Sequence, residues 1–269
     1  IPTVTNGAPV SLNYGNNSLT MTANYLGCSQ SVTINVYSGS NPFVSLGTSN
    51  SIGLCLGDSL AFTIDPIAAP TTAQPNGQAN PPGTSYTLTY SDVAGSTVFP
   101  VILNDTTVIH AYNSTSCGTT YPGNLYPQNT FYAKVTAQNF CGQTSSTVSP
   151  ITVNNKPDAN FTVTDSTICA GQTISATNTG ISGNVIGSSM PYDCTAEGKY
   201  YWEISGGTIG TNYNISSGTL GYYYPNYIDG TGQPDYTGNG SATLGVNFVT
   251  AGYYTITQVY YNSCGSNSM

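Results

Sequence analysis

The sequence predicts an all-β chain of tandem antiparallel Ig-like β-sandwiches arranged end to end. Three observations carry this expectation. Apolar residues alternate with period two over short stretches, Gly, Pro, Asn and Asp punctuate those stretches, and two short motifs recur at domain-sized spacing. No stretch has a helical period.

The first recurring motif closes an alternating strand with Asn-x-Cys-Gly, as "TFYAKVTAQNFCGQ" (residues 130–143) and again as "GYYTITQVYYNSCG" (residues 252–265). Their cysteines, Cys141 and Cys264, lie 123 positions apart, and a looser copy, "NYLGCSQSVTINV", puts Cys28 113 positions before Cys141. The second motif appears as "GLCLGDSLAFTI" around Cys55 and "TICAGQTISATN" around Cys169, 114 positions apart. Self-similarity at a fixed period signals repeated domains. The expected organisation is a truncated sandwich represented by its C-terminal part over 1–44, a complete sandwich over 45–154, and a third over 155–269 that lacks its last strand, because Met269 follows closely on Cys264. Short linkers fall near "SGSNPF" and "NNKPDAN".

Within these repeats the phase of alternation names the core. Leu60, Phe62 and Ile64 should face inward in one copy of the second motif, and Ile174 and Ala176 in the other. Phe131, Ala133, Val135 and Ala137 form the inner face of the first motif, with Tyr132, Lys134, Thr136 and Gln138 outside. The later copy places Tyr254, Ile256 and Tyr260 inward, and Gln258 interrupts that face with a group that needs a hydrogen-bond partner if buried. Further strands are expected over 85–90, 97–103, 107–111, 145–153, 161–164, 199–204 and 243–248.

Composition narrows the function classes. With 11 acidic and 3 basic residues the formal net charge is −8, and only 5% of residues are charged, so the surface rests on neutral polar groups. All three cations are lysines, which excludes a patch able to neutralise a run of phosphates, and nucleic-acid binding with it. No apolar run approaches the ~18 residues of a membrane-spanning helix, so no membrane insertion is expected. Seven cysteines in such a chain point to an oxidising compartment. The single histidine and the lack of any CxxC pair argue against zinc.

Sandwich geometry restricts the disulfides. The turn after the first strand and the turn before the last strand lie at opposite poles, ~23 Å apart across a seven-residue strand, whereas a disulfide needs Cα atoms within ~7 Å. Pairing within one repeat, Cys55 with Cys141 and Cys169 with Cys264, is therefore disfavoured. Where sandwiches follow one another, the first turn of one meets the last turn of the next, which favours Cys55 with Cys264 and Cys117 with Cys194. Pairing within a pole, Cys55 with Cys117 and Cys194 with Cys264, stays open as an alternative, as do the intradomain pairs. Cys28, Cys141 and Cys169 are expected to pair with segments outside the sequence.

Catalysis finds little support in the residues. His110 sits on a strand candidate with no nucleophile elbow nearby, and Asp193 with Glu197, or Asp229 with Asp235, fall in Gly-rich loops rather than at a cleft. No cofactor is expected; Asp158, Asp193 and Glu197 are weak calcium candidates because the spacing of a calcium loop is absent. The Tyr-rich insertion "GYYYPNYIDGTGQPDY" offers a ligand platform, since tyrosine rings stack on sugar faces and carboxylates accept hydrogen bonds. Its candidate binding residues are Tyr222, Tyr223, Tyr224, Tyr227, Asp229, Asp235 and Tyr236, set against simple packing of the insertion over its own sandwich.

Taken together, "TICAGQTISATN", "YYWEISGG" and "FVTAGYYTITQVYYNSCG" resemble the PKD-like repeats found in tandem in large cell-surface proteins of Bacteroidota, gliding adhesins exported by the type IX secretion system among them. The resemblance covers residues 159–269 well, 48–154 more loosely and 1–44 only through its last hairpin. Trp202 stands at the core Trp of that family, while Glu203-Ile204-Ser205-Gly206-Gly207 replaces its usual Asp-Phe-Gly-Asp-Gly. The resemblance implies an extracellular, cell-surface setting and a non-catalytic structural or adhesive role. The partners it implies are neighbouring repeats of the same long chain, together with a surface polysaccharide or another surface protein. A glycan-binding module and an accessory domain of a secreted hydrolase are the alternatives. It further implies O-glycosylation at Ser59, Thr106 and Ser166, which follow Asp in the pattern of that lineage.

Overall fold

The structure is a computed structural model that describes residues 12, 15–67, 80–99, 106–196, 199–221 and 239–269. Its elements are strands, apart from one three-residue 3-10 turn at Pro122–Asn124. In chain order they are β1 (Gly15–Tyr25), β2 (Cys28–Ser38), β3 (Ser45–Thr48), β4 (Leu54–Cys55), β5 (Ser59–Asp65), β6 (Ser85–Tyr90), β7 (Ser96–Phe99), β8 (Thr106–Ala111), β9 (Phe131–Asn139) and β10 (Gly142–Ile151). There follow β11 (Val153–Asn154), β12 (Phe161–Val163), β13 (Thr173–Asn178), β14 (Asn184–Ile186), β15 (Cys194–Ala196), β16 (Lys199–Ser205), β17 (Tyr213–Ser217), β18 (Thr243–Phe248), β19 (Thr255–Asn262) and β20 (Gly265–Ser268). The fold is all-β, built of antiparallel sheets with one short parallel pair, β4 with β11.

The chain divides into two compact units. The first comprises Ile1–Ser49, Ala61–Ile109 and Ala133–Val148. It holds the hairpin of β1 and β2, whose strands pair from Gly15 with Ser38 to Tyr25 with Cys28. It also holds most of two facing sheets, β3-β5-β8 and β10-β9-β6-β7. Phe62 and Ile64 from β5 bury completely, as do Leu88 from β6 and Ala133, Val135 and Ala137 from β9. The Phe62 and Tyr90 rings meet between the sheets at 5.6 Å. Burial and the nearby Asp92 push the Tyr90 phenol up to about 12, so it stays protonated at neutral pH.

The second unit comprises Asn50–Leu60, His110–Tyr132 and Ser149–Met269. Sheet β12-β13-β18-β17 faces sheet β16-β19-β20 across a core of Ile174, Ala176, Trp202, Tyr213, Leu244, Val246 and Phe248. Trp202, from β16, is 2% exposed and packs edge-on against Phe161 of β12 at 5.2 Å. Its indole Nε1 donates to the Ser241 carbonyl at 3.0 Å, which satisfies the one polar atom this ring brings inside. Gln258 is fully buried, and its Oε1 accepts the Asn160 N–H at 3.2 Å. Tyr260 is buried on the same face of β19 and accepts from Asn178 Nδ2 at 2.6 Å; burial is the main cause that raises its phenol pKa. Tyr254 and Ile256 are half-buried.

β20 continues from β19 through a tight hairpin, with Asn262 opposite Gly265 and Val259 opposite Ser268. The expected strand over 97–103 is described as far as Phe99, and residues 100–103 lie outside the described residues. The three-residue strands β14 and β15, which pair with each other, are too short and too polar for periodicity to reveal.

Trp202→Ala should destabilise the second unit by about 3–5 kcal/mol in denaturant unfolding, because it removes a buried ring and empties the space between two sheets. A loss below about 1 kcal/mol would show that Trp202 does not organise this core.

Candidate functional site, a doubly bridged junction

Two short turns in the second unit share one hydrogen-bond frame. In Cys55-Leu56-Gly57-Asp58 the Cys55 N–H donates to Asp58 Oδ2 at 2.8 Å, and the Asp58 N–H donates back to the Cys55 carbonyl at 2.8 Å. In Cys169-Ala170-Gly171-Gln172 the Cys169 N–H donates to Gln172 Oε1 at 2.9 Å, and the Gln172 N–H donates to the Cys169 carbonyl at 3.1 Å. The third residue of each turn lies in the left-handed region, with φ of 92° at Gly57 and 86° at Gly171, which explains glycine there. Each turn is also tied to a following segment. The Gly57 N–H meets the Tyr112 carbonyl and the Tyr112 N–H the Asp58 carbonyl, while Gly171 and Gln172 exchange the same two bonds with Phe248.

The Asn-x-Cys-Gly hairpins share a frame of their own. Asn139 Oδ1 accepts the Cys141 N–H at 2.8 Å, and Asn262 Oδ1 accepts the Cys264 N–H at 2.8 Å. The amide of each Asn then reaches the segment that leads into its own repeat. Asn139 Nδ2 donates to the Ser40 carbonyl at 3.1 Å, and Asn262 Nδ2 to the Asn155 carbonyl at 2.8 Å. The recurring Asn thus shapes the turn with one atom and anchors it with the other.

The structure brings four cysteines together in two disulfides. Cys55 bonds Cys264, with Cα atoms 5.4 Å apart, and Cys117 bonds Cys194, with Cα atoms 5.7 Å apart. Both bridges lie inside the second unit and join residues before 154 to residues after 155. Hydrogen bonds reinforce them. Asn154, 3% exposed, accepts the Ile186 N–H with its side-chain Oδ1 at 2.8 Å, and Asn129 Nδ2 donates to the Tyr192 carbonyl at 3.0 Å. The loop carrying Cys117 is pinned by the Ser116 N–H on the Val153 carbonyl and by the Val153 N–H on Ser116 Oγ. Cys28, Cys141 and Cys169 are exposed and unpaired.

A cleft of about 500 Å³ opens beside Cys169, lined by the apolar Phe161, Ile168, Ile174 and Phe248 and by the polar Asp165, Ser166, Thr167 and Thr250. Its rim carries Val163 and the fully exposed Tyr253. The matching place beside Cys55 is filled: β11 lies there parallel to β4, with Val153 fully buried and the Leu54 and Leu56 N–H groups donating to the Thr152 and Asn154 carbonyls. No described residue makes the corresponding bonds beside Cys169.

The remaining candidates are dispersed. Asp158 forms a main-chain bridge with Ile181, and Asp193 accepts the Gly187 N–H on its carbonyl. Glu197 lies outside the described residues. Among the described residues no group of three or more His, Cys, Asp or Glu is placed to hold a metal ion. His110 packs edge-on to Tyr112 at 4.7 Å, in β8. Ser59 and Ser166 are exposed and Thr106 is half-exposed, each accessible to modification. Tyr222, Tyr223, Tyr224, Tyr227, Asp229, Asp235 and Tyr236 all lie outside the described residues. No described helix is long and apolar enough to cross a membrane.

No family model matches this chain, and no curated protein matches it. Among solved structures it is similar to extracellular domains 3–5 of Drosophila OTK, at 15% identity and a TM-score of 0.32, over 90% of this chain and 66% of that one. It is also similar to the D1–D4 ectodomain fragment of ICAM-5, at 9% identity and a TM-score of 0.34, over 97% of this chain and 60% of that one. A third is the N-terminal four Ig domains of Dscam1 isoform 7.44, at 13% identity and a TM-score of 0.29, over 90% of this chain and 49% of that one. The chain thus spans about two thirds or less of the solved chains it matches.

Asn262→Ala removes the bond that shapes the Cys264 hairpin and those that anchor it to the Asn155 and Ser182 carbonyls. Unfolding of the oxidised chain should become easier by about 1–3 kcal/mol. Thiol trapping under mild reductant should show Cys55–Cys264 opening sooner than in the wild type while Cys117–Cys194 opens at its former rate. Equal opening rates for both bridges in variant and wild type would contradict the anchoring role.

Proposed function

We propose that this chain is a non-catalytic structural or adhesive segment of a long extracellular fibre on a cell surface. The supporting observation is the pair of disulfides, Cys55–Cys264 and Cys117–Cys194, which join residues before 154 to residues after 155 at two separate points. If 45–154 and 155–269 are successive repeats, an interface of ordinary size between them would permit relative motion, and a single covalent tie would still permit pivoting. Two ties suppress both. Such an investment suits a segment that transmits force and is unneeded in an enzyme whose chemistry sits inside one domain.

The surface fits the same reading. Only 5% of residues are charged, so contacts along the fibre rest on hydroxyls, amides and tyrosines, the groups that engage polysaccharide or another surface protein. Disulfides of this kind form and persist in oxidising compartments. The motif resemblance to PKD-like repeats of Bacteroidota surface proteins supports a cell-surface setting and export by the type IX route. The reading needs no cofactor.

Single-molecule pulling from the two chain ends tests it. In the oxidised chain the segment between Cys55 and Cys264, 209 positions apart, is bypassed by the bridge, so it cannot extend under load. Reduction should release about 700 Å of additional contour length, at ~3.4 Å per residue. Equal contour lengths before and after reduction would mean that the bridge carries no force.

A further inference from the structure

We propose that the Cys169 turn is a second docking point of the kind already occupied at Cys55, and that its partner is an Asn-x-Cys-Gly hairpin on another repeat of the same sort. The proposal rests on the reading of the chain as a segment of tandem repeats and names how one repeat finds the next.

The argument is the equivalence of two frames within one molecule. Cys55 and Cys169 each donate a backbone N–H to the side-chain oxygen three residues on, and each turn exchanges two main-chain bonds with a following segment, through Tyr112 in one case and Phe248 in the other. The turn that holds Cys55 presents its sulfur to the hairpin that holds Cys264. Cys169 presents an exposed, unpaired sulfur from the same frame. On the partner side, Cys141 occupies the hairpin frame of Cys264, with the same 2.8 Å bond from its N–H to the Asn two residues before, and it too is exposed and unpaired. Its neighbour Phe140, 71% exposed, sits where the bridged hairpin has Ser263. The molecule thus carries one completed turn-to-hairpin bond and both halves of another.

The pairing has a direction. In the completed bond the turn belongs to the earlier repeat and the hairpin to the later one, so Cys169 would receive a hairpin from a repeat further along, and Cys141 a turn from a repeat further back. Bond formation is a two-electron oxidation. The Cys169 thiol and the hairpin thiol lose two protons and two electrons to a disulfide oxidant, their sulfurs join, and the oxidant is left as two thiols.

Two full-chain variants provide the test, with the hairpin of a second copy standing for that of another repeat. One carries Cys28→Ser and Cys141→Ser and keeps Cys169; the other carries Cys28→Ser and Cys169→Ser and keeps Cys141. Both retain the two internal bridges. They are incubated separately and mixed in oxidised and reduced glutathione, and covalent dimers are quantified on nonreducing gels and by peptide mapping. The Cys169–Cys141 dimer should exceed either homodimer by at least about tenfold, a preference of about 1.4 kcal/mol. Adding Gln172→Ala to the first variant removes the acceptor that holds the turn, and yield should fall toward the homodimer level. Statistical yields of the three dimers, or a mixed-dimer yield untouched by Gln172→Ala, would overturn the proposal by showing only the reactivity of exposed thiols. The pulling experiment reads Cys55–Cys264 alone, so this proposal and the structural reading fail separately.

Discussion

The covalent tie between Cys55 and Cys264 is the constraint on which the second unit depends. It closes a separation of 209 residues. In the chain-entropy account of cross-links, a loop of that length removes enough freedom from the unfolded chain to contribute about 5 kcal/mol, comparable with the whole stability of a modest domain. The Cys117–Cys194 bridge lies within that loop, so its own effect is smaller than its 77-residue separation would give in isolation. This matters in a chain with 5% charged residues, where ion-pair networks are not on hand to fix one segment against another. Buried side chains such as Phe62 and Leu88 in the first unit, and Trp202 and Leu244 in the second, hold the sheets of each together, and the bridges hold what the second core leaves free.

Each bridge works only because its sulfurs are presented in a fixed direction. For Cys55–Cys264 the presentation is built from bonds between side chain and main chain: Asp58 holds the Cys55 turn, and Asn262 holds the Cys264 hairpin while its amide grips Asn155. Side chains of only two carbons do this work, and both lie within three residues of the cysteine they orient. That locality is why the arrangement can be copied along a chain. A segment of four residues carries the local bonds of a turn, and another of four carries those of a hairpin.

Much of this was legible before any coordinates. The alternation in Phe131, Ala133, Val135 and Ala137 is strict, and all four side chains are buried. The second motif keeps glycine at the third position of its turn in both copies, Gly57 and Gly171, where φ is positive. Other features leave no periodic trace. β4 and β11 are two residues long, and β14 and β15 three, below the length at which alternation means anything. The role of Asn262 toward Asn155 joins residues 107 positions apart, which no local pattern encodes. Gln258 breaks the apolar face of its strand; its Oε1 accepts the Asn160 N–H, 98 positions away, while its buried Nε2 has no hydrogen-bond partner among the described residues. The reciprocal bonds of the Cys55 and Cys169 turns had a signal that was passed over: in both copies a residue with a side-chain oxygen, Asp58 or Gln172, stands three places after the cysteine.

The most direct check of the account is a nonreducing peptide map of the wild-type chain, with free thiols alkylated before digestion at tyrosine and acidic residues. The account predicts two linked pairs, one joining the peptide of Cys55 to that of Cys264 and the other joining Cys117 to Cys194, with Cys28, Cys141 and Cys169 recovered as alkylated thiols. Recovery of Cys55 linked to Cys141 and Cys169 linked to Cys264 would contradict it, because each repeat would then be closed on itself and nothing covalent would join one to the next.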